Sequence, residues 1–399
     1  MPAASSRQVV LALFAGSAAL VVVHALGRFA YTPLLPHLLA DGLLSLEQGA
    51  RLATWNYIGY LLGALLALLL AAPQRLRIAL PLALLSNAAI TLAQGACDNV
   101  IGLLLLRLAN GISNGLVFVL APALVLEWLV RRERASLSGL VYLGFAAGLL
   151  LTSWLAEAPA TYLHGAERWW PMAALAVPLA VVSCTLLMRL HISPASPRDA
   201  APPSRRLFDR ASTPLFMAYA GAGLGYILPM TFLPTLANQL LAPEDPMVGQ
   251  IWLWTALACL VSVPGWNYLG ARLGDRRALF GTYIQQGLGC AAPLLLPNTA
   301  GVLLCGVLVG GGFIGSVLLT QRLARSLQPH QGPRLSAALI ALYGGAQLSG
   351  PWLAEVWLQA GGTLVQSFVL GLGAFIWSLC WMKAVPGLSP LPSQGALQR

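Results

Sequence analysis

The sequence predicts an all-α membrane protein with twelve transmembrane helices in two pseudo-symmetric six-helix bundles. Of its 399 residues, 58% are hydrophobic and only 9% are charged. A soluble domain carries about 25% charged residues, so lipid is the solvent that suits most of this surface. Two further observations support the same fold class: a series of apolar segments of spanning length, and an internal repeat at half the chain length.

Each apolar segment is long enough to cross the hydrocarbon core, which takes about 20 helical residues. Six of them precede a polar stretch, at 9–39, 46–71, 78–96, 100–128, 136–157 and 169–189. Six follow it, at 213–238, 248–269, 278–296, 299–323, 335–357 and 363–382. Only residues 97–99 and 297–299 separate segments three from four and nine from ten, which predicts two tight helical hairpins.

The polar stretch between the two sets of segments, residues 191–212, is rich in proline and charge. Such a composition neither spans a membrane nor buries a core, so it predicts a flexible linker in the cytoplasm. The expected domains are therefore an N-terminal bundle at 1–190, this linker, and a C-terminal bundle at 213–399 with a short cytoplasmic tail.

The basic residues predict the orientation in the membrane. If the N-terminus lies inside and the segments alternate, only Arg51 and Arg168 of the 23 Lys and Arg residues fall in outer loops, while Arg28 and Arg107 fall within helices. Most outer loops carry acids instead: Asp41, Glu47, Asp98, Glu157, Glu167, Glu244 and Asp245. Because cytoplasmic loops carry the excess of Lys and Arg, both termini are expected in the cytoplasm of a bacterium, with the chain in the inner membrane.

A repeat relates the two halves of the chain. Residues 27–36 run from a glycine to a Leu-Pro pair, and residues 225–234 do the same 198 positions later. The triplets at 142–144 and 343–345 match at an offset of about 201. Matches at one offset near half the chain indicate a duplicated six-helix unit.

Two sets of residues carry a family resemblance over essentially the whole chain. Arg107 with Gly111 and Gly115 in the fourth segment resembles the RxxxGxxxG signature of the major facilitator superfamily. The stretches at 27–36 and 56–63 resemble the YbfB/YjiJ-type branch of that superfamily. The resemblance implies the major facilitator fold and a transport function, and it leaves the cargo open.

The loop at 270–277, which contains Asp275 and Arg276, resembles a second superfamily motif. In this loop the aspartate and the arginines are closer together than in the family pattern. The resemblance implies that this loop locks helix contacts in one conformation of the transport cycle. The corresponding first-half loop, at 73–77, keeps its arginines but lacks the aspartate, so the first half departs from the pattern.

Arg28 is the most informative residue within a predicted helix. An arginine there costs at least about 2.5 kcal/mol unless it finds water or a partner. His24 lies four residues earlier, on the same helical face. The pair is predicted to face a central cavity and to bind substrate or couple transport to protons. The alternatives are that Arg28 only satisfies backbone carbonyls or snorkels, and that His24 is a packed, hydrogen-bonded histidine.

Arg107 shares a helical face with Asn110 and Asn114. A polar stripe on an apolar helix must face protein or water rather than lipid. The superfamily resemblance assigns this arginine to structure and coupling beside the first helix, and direct contact with substrate is the alternative.

Four further residues are assigned to the same site: Asn56, Tyr142, Tyr226 and Gln347. Four other tyrosines could line the same cavity: Tyr57, Tyr60, Tyr219 and Tyr343. Membrane proteins also place tyrosines in belts at the water interface, which is the other interpretation of tyrosines near helix ends. Tyr142, Tyr226 and Gln347 lie deeper in their segments than the belt requires.

The buried charges favour one class of cargo. No Asp or Glu lies in the middle third of a predicted helix, whereas export of cationic drugs by proton exchange normally needs a buried carboxylate. Guanidinium groups instead hold carboxylates or phosphates. We therefore expect a secondary transporter for an anionic or neutral small solute. The coupled proton binds His24 or moves with the anion.

Other functions remain as alternatives or are excluded. A drug or metabolite efflux pump is the second hypothesis within transport, and a membrane sensor is a remote third. An enzyme would need an acid/base or metal cluster at one depth, and the five histidines are dispersed. We expect no cofactor, no metal and no nucleic acid. The expected partners are the solute, protons and the lipid bilayer, with the chain acting as a monomer.

Overall fold

The computed structural model describes residues 6–70, 73–190, 209–328 and 332–386, and the elements within these ranges are helical. The α-helices are α1 (Ser6–Leu20), α2 (Tyr31–Ala40), α3 (Leu46–Leu70), α4 (Pro73–Gln94), α5 (Val100–Val130), α6 (Leu143–Glu157), α7 (Trp170–Met188), α8 (Thr213–Leu240), α9 (Met247–Leu273), α10 (Asp275–Leu295), α11 (Thr299–Leu327), α12 (Gly332–Gln359) and α13 (Leu364–Ala384). A π-helix, Val21–Phe29, joins α1 to α2, and two 3-10 helices, Ala135–Tyr142 and Gly165–Trp169, precede α6 and α7.

Each predicted segment corresponds to a helical stretch, and the first is the continuous run of α1, the π-helix and α2. Within the described residues, nine helices are long and apolar enough to span a membrane. The chain is therefore a multi-span membrane protein whose described secondary structure is helical throughout. The predicted linker lies outside the described residues as far as residue 208, and the predicted C-terminal tail does so from residue 387.

Asparagine caps form the two short turns that the sequence predicts. The side chain of Asn99 accepts a hydrogen bond from the amide of Gly102 at 2.7 Å, where α5 begins. Asn298 does the same for Gly301 at 3.2 Å, where α11 begins. Each cap satisfies an amide at a helix start that has no partner within the helix. The polar turn residues thereby reverse the chain within a few positions.

The first span changes its helical form near its middle. The amide of Ala30 donates to the carbonyl of Ala25 at 2.8 Å, which closes a turn one residue wider than that of an α-helix. Pro33 follows closely, and it has no N–H for the carbonyl of Phe29. All nine residues of the π-helix are buried, His24 and Arg28 among them. Wide turns of this kind often lie at functional sites.

Four glycines bring α3 and α5 into backbone contact. A Cβ added to Gly111 would overlap the carbonyl oxygen of Asn56, and one added to Gly115 would overlap that of Tyr60. The same holds in reverse for Gly59 and Gly63 of α3, which face carbonyls of α5. Small residues four apart let helix backbones approach closely in a membrane. The RxxxGxxxG signature therefore serves this helix contact.

Packing pairs in the first half recur in the second. α3 packs on α5, and α4 packs on α5 and α7; equivalently, α9 packs on α11, and α10 packs on α11 and α13. The halves meet where α3 contacts α12, α6 contacts α9, and α2 contacts α8. At the last contact the hydroxyl of Thr32 donates to the carbonyl of Met230 at 2.8 Å. These two residues occupy equivalent positions in the repeat.

A two-pronged ion pair joins the end of the first span to the segment before α7. The guanidinium of Arg168 donates to both carboxylate oxygens of Asp41, at 2.6 and 2.9 Å. The amide of Gly165 donates to the same carboxylate at 2.7 Å. These bonds, that of Arg168 first, lower the pKa of Asp41 from its usual 3.8 to about 2. The ionised carboxylate thus stabilises the fold above pH 4, and this contribution is lost as the pH falls towards 2.

Asp41→Asn is therefore expected to lower the thermal stability of the purified protein at pH 7, by about 1 kcal/mol after allowance for solvent screening. The difference between the variant and the wild type should shrink as the pH falls from 4 to 2. Melting curves in detergent at several pH values would measure both effects. Glu244→Gln, at an exposed acid of another loop, is the control and should change little. Equal melting of the Asp41 variant and the wild type at pH 7 would contradict this assignment.

Candidate functional site

Arg28 lies at the centre of the protein, where it connects the two halves. Its side chain is only 2% exposed. Its Nη2 donates to Oε1 of Gln347 on α12 at 2.6 Å. The amide nitrogen of Gln347 in turn donates to the hydroxyl of Tyr226 on α8 at 2.7 Å. Three of the predicted site residues therefore form one hydrogen-bonded chain across the interface between the halves.

The guanidinium of Arg28 is held by aromatic rings rather than by an acid. Its Cζ lies 4.4 Å from the ring centres of Tyr57 and Tyr60, and 5.1 Å from that of Phe29. Nε and Nη1 are buried and have no hydrogen-bond partner within the described part of the chain. No Asp or Glu of that part forms an ion pair with Arg28. Cation–π contacts offset part of its desolvation, but two donors remain unsatisfied.

A stack of aromatic rings continues from this point into the second half. The ring of Tyr226 stacks on Phe313 at 5.2 Å and on Tyr343 at 5.3 Å. Tyr343 also stacks on Tyr219 at 4.3 Å. Planar, largely apolar aromatic rings thus surround Arg28, and a few of them carry hydroxyl groups. A site lined in this way suits a small organic solute whose orientation is set by a few polar contacts.

His24 lies beside Arg28 in an aromatic pocket of its own. Its Nδ1 lies 3.0 Å from Oδ1 of Asn114. Its ring stacks on Phe118 at 4.4 Å and meets Phe145 edge-on at 4.9 Å. Tyr60 neighbours both His24, at 6.0 Å between ring centres, and Arg28. The structure thus places the predicted pair on one side of the first span, as the spacing of four residues indicates.

Arg107 and Asn56 connect helices next to the central site, by which we mean Arg28, His24, Tyr226 and Gln347. Nη1 of Arg107 donates to the carbonyl of Gly27 in the π-helix at 3.1 Å, and its guanidinium lies 4.6 Å from the ring centre of Tyr31. Asn56 is fully buried, and its amide donates to the carbonyl of Arg107 at 2.9 Å and to Asn110 at 3.1 Å. Asn56, which we expect in the cavity, thus faces the backbone of α5 because that carbonyl is its nearest acceptor.

Tyr142 lies at one end of this arrangement. Its ring centre is 6.2 Å from that of Phe118, which separates it from His24. Among the seven predicted binding or coupling residues, the structure therefore brings Arg28, His24, Tyr226 and Gln347 together. Tyr142 joins them through Phe118, and Arg107 and Asn56 support the first span from behind.

Asn87 was not predicted as part of the site. Its amide donates to the carbonyl of Asn110 at 3.1 Å and to the hydroxyl of Ser113 at 2.8 Å. Its Oδ1 lies where a side chain on Gly27 would be. The available signal was a lone asparagine in the apolar third segment. The aromatic partners Phe118, Phe145 and Phe313 had no signal of their own, because phenylalanine in a membrane helix is ordinary.

The loop motif forms contacts at the other end of the helices. The carboxylate of Asp275 pairs with the guanidinium of Arg322 on α11 at 3.0 Å, and Arg322 also donates to Asn267 on α9 at 2.9 Å. Arg276 donates to the carbonyl of Lys383 at the end of α13 at 3.1 Å. Asp275 and Arg322 together thus link α10, α11 and α9, which suits the locking role that the resemblance implies. Arg322 was not predicted as its partner.

Comparison with known protein families decides the class. A family model described as "Uncharacterised MFS-type transporter YbfB" matches residues 20–382, which is most of the chain. The chain belongs to this family. As a YbfB-type member of the major facilitator superfamily, it is a membrane transport protein and not an enzyme. No curated protein sequence matches it.

Solved transporter structures share the fold of this YbfB-type chain. The nucleoside transporter NupG has a TM-score of 0.70 at 11% identity, over 93% of this chain and 98% of its own. A D-xylose-proton symporter has a TM-score of 0.71 at 15% identity, over 95% and 98%. The POT family transporter PepTSo has a TM-score of 0.72 at 11% identity, over 96% and 98%. At these identities the likeness concerns the fold alone.

Proposed function

We propose that this protein is a secondary active transporter in which two six-helix bundles, residues 1–190 and 213–399, rock about a central site. The recurrence of the helix-packing pairs supports two related bundles. The hydrogen bond between Thr32 and Met230 supports the same symmetry. Equivalent positions of a duplicated unit meet each other only near the axis that relates the two copies.

The conformation described here is closed at the predicted outer ends of the helices. There, Nε of Arg51 on α3 donates to Glu355 on α12 at 2.7 Å. A second bond joins α6 and α9, where the indole nitrogen of Trp252 donates to the hydroxyl of Thr152 at 3.0 Å. Both bonds join opposite halves, so alternating access requires that they break when the outer side opens. In this state the bonds would shield the buried central site from the outer side.

The proposed substrate is an anionic or neutral small solute, and the state of Arg28 favours an anion. The single observation that carries this proposal is a buried guanidinium that has no acid partner and two unbonded nitrogens among the residues that the structure describes. A carboxylate or phosphate would bind the free donors and compensate the charge at once. The aromatic rings around Arg28 would contact the apolar part of the solute.

Protons are the proposed driving ion. His24 is the group near Arg28 whose unperturbed pKa lies in the physiological range. It shares Tyr60 with Arg28 as a neighbour, so protonation of one and anion binding by the other would influence each other electrostatically. A proton that enters with the anion itself would serve the same coupling.

We further propose that the protein lies in a bacterial inner membrane with both termini in the cytoplasm, and that it acts as a monomer. The scarcity of basic residues in the predicted outer loops supports the orientation. The bonds among Arg28, Gln347 and Tyr226 support a monomer, because one chain supplies the central site from both of its halves.

The test begins with a comparison of metabolites between cells that lack and cells that overproduce the protein. The solute so found is then followed in proteoliposomes under pH gradients of either direction. We expect an anionic or neutral solute that accumulates only when a pH gradient is present. We expect His24→Gln to abolish this accumulation while it leaves the exchange of labelled for unlabelled solute intact.

His164→Gln is the matched control, because His164 is an outer-loop histidine whose side chain is 75% exposed. It should accumulate solute as the wild type does. Transport of a permanent cation would contradict the proposed substrate class. Accumulation by His24→Gln at the wild-type level would contradict the role of His24, and would assign the coupled proton to the anion.

A further inference from the structure

A second group of basic side chains lies far from the central site, where α10 begins and α13 ends. A cavity of about 260 Å³ opens there and is lined by Arg276, Arg277, Phe280, Met382 and Lys383. Three of these five residues are cationic, and they come from both helices. The transport mechanism proposed above uses neither Arg277 nor Lys383.

The positive charge of this cavity is not neutralised by the described residues around it. Arg276 donates to the carbonyl of Lys383, which is a neutral acceptor. Neither Arg277 nor Lys383 forms an ion pair with an acid in the part of the chain that the structure describes. Asp275, the acid next in sequence, pairs with Arg322 instead. The sequence from Val385 to Arg399 contains no Asp or Glu.

Apolar side chains extend from the cavity along the membrane-facing surface of both helices. On α10, Ile284 and Leu288 are 42% and 59% exposed and lie two and three turns beyond Arg277 on the same face. On α13, Ile376 is 54% exposed and lies two turns before Lys383. A cationic pocket that continues into exposed apolar rows matches one kind of ligand: an amphiphile with an anionic head and hydrocarbon chains.

We propose that this pocket, formed by Arg276, Arg277 and Lys383 below the apolar rows of α10 and α13, binds the phosphodiester headgroup of an anionic phospholipid. Basic pockets between helices on the cytoplasmic side are suited to such headgroups. This end of the helices faces the cytoplasmic leaflet in the proposed orientation. A zwitterionic lipid binds less well because its ammonium group meets the three cations. A free phosphate lacks the contacts of the acyl chains.

The test compares lipid binding by the wild type and by the double variant Arg277→Gln/Lys383→Gln. The purified full chain in a neutral detergent is titrated with dioleoylphosphatidylglycerol, dioleoylphosphatidylcholine or inorganic phosphate. Binding is measured by native mass spectrometry and by thermal shift. Arg276 is left intact because it binds the end of α13. Arg272→Gln is the matched control. Arg272 is a basic residue in the last turn of α9, on the same side of the membrane as the cavity, but it does not line the cavity.

We expect the wild type and Arg272→Gln to bind phosphatidylglycerol alike. The double variant should bind it roughly 25-fold more weakly, because each of the two charges removed weakens binding about fivefold. Equal binding by the double variant would overturn the proposal. So would equal binding of phosphatidylcholine, which would show a site for acyl chains only, or equal stabilisation by inorganic phosphate, which would show a site for a soluble anion. If the double variant does not fold, the comparison of the three ligands on the wild type decides.

Discussion

Replacing Arg28 by glutamine is expected to abolish transport and, at the same time, to raise thermal stability. The wild-type guanidinium is buried, and within the described ranges it has no acid beside it and no hydrogen-bond partner for Nε or Nη1. A neutral side chain removes this desolvation cost, so the variant should gain about 1–3 kcal/mol of stability. Loss of a charged contact to the substrate typically costs 2–5 kcal/mol, so we expect uptake to fall by about 30-fold or more.

Arg107→Gln is the matched comparison, because Arg107 is an equally buried arginine with a structural contact. Its guanidinium binds the carbonyl of Gly27 and stacks on Tyr31, and one of its nitrogens, Nε, is buried without a hydrogen-bond partner in the described part of the chain, against two in Arg28. This variant should lose stability, whereas Arg28→Gln should gain it. Melting temperatures and proteoliposome uptake, measured on the same preparations, separate the two arginines. If Arg28→Gln melts earlier than the wild type and still transports, Arg28 is a structural residue and the proposed site is wrong.

Gly111→Ala is expected to cause the largest loss of folded protein among single substitutions in α5. The new Cβ would overlap the carbonyl oxygen of Asn56, and both atoms belong to rigid helix backbones. The helices must then separate, at a cost of about 3 kcal/mol. Alanine recovers roughly 1 kcal/mol through its better helix propensity. The net loss of about 2 kcal/mol should appear as a lower melting temperature and a smaller monodisperse peak in size-exclusion chromatography.

Gly373→Ala provides the control for this substitution. Gly373 lies on an exposed face of α13, and a Cβ there would meet no described atom within 4 Å. This variant should melt at or slightly above the wild-type temperature, because only the propensity changes. If Gly111→Ala melts like Gly373→Ala, the backbone contact between α3 and α5 is looser than described, and the signature glycines have another role.

The site shows how far local patterns reach. The spacing of His24 and Arg28 predicts that they lie together, and they do, because both belong to one helical stretch. Asn56 was expected in the cavity, but its amide binds the carbonyl of Arg107 on another helix. Periodicity gives the face of a helix on which a residue lies. It does not predict which atom of the neighbouring helix that residue contacts.

The sequence by itself determined that lipid surrounds most of the protein surface, where the helical segments lie, and that the chain belongs to a transporter family. These follow from composition, from the length of apolar runs and from motifs, all of which are local or summed along the chain. Only the tertiary structure decided the partners of Arg28. Gln347 lies 319 positions away and Tyr226 on yet another helix. Which helices meet, and at which depth, depends on how all of them pack. The same packing leaves two nitrogens of Arg28 without a partner in the described residues, and the proposed anion binding rests on them.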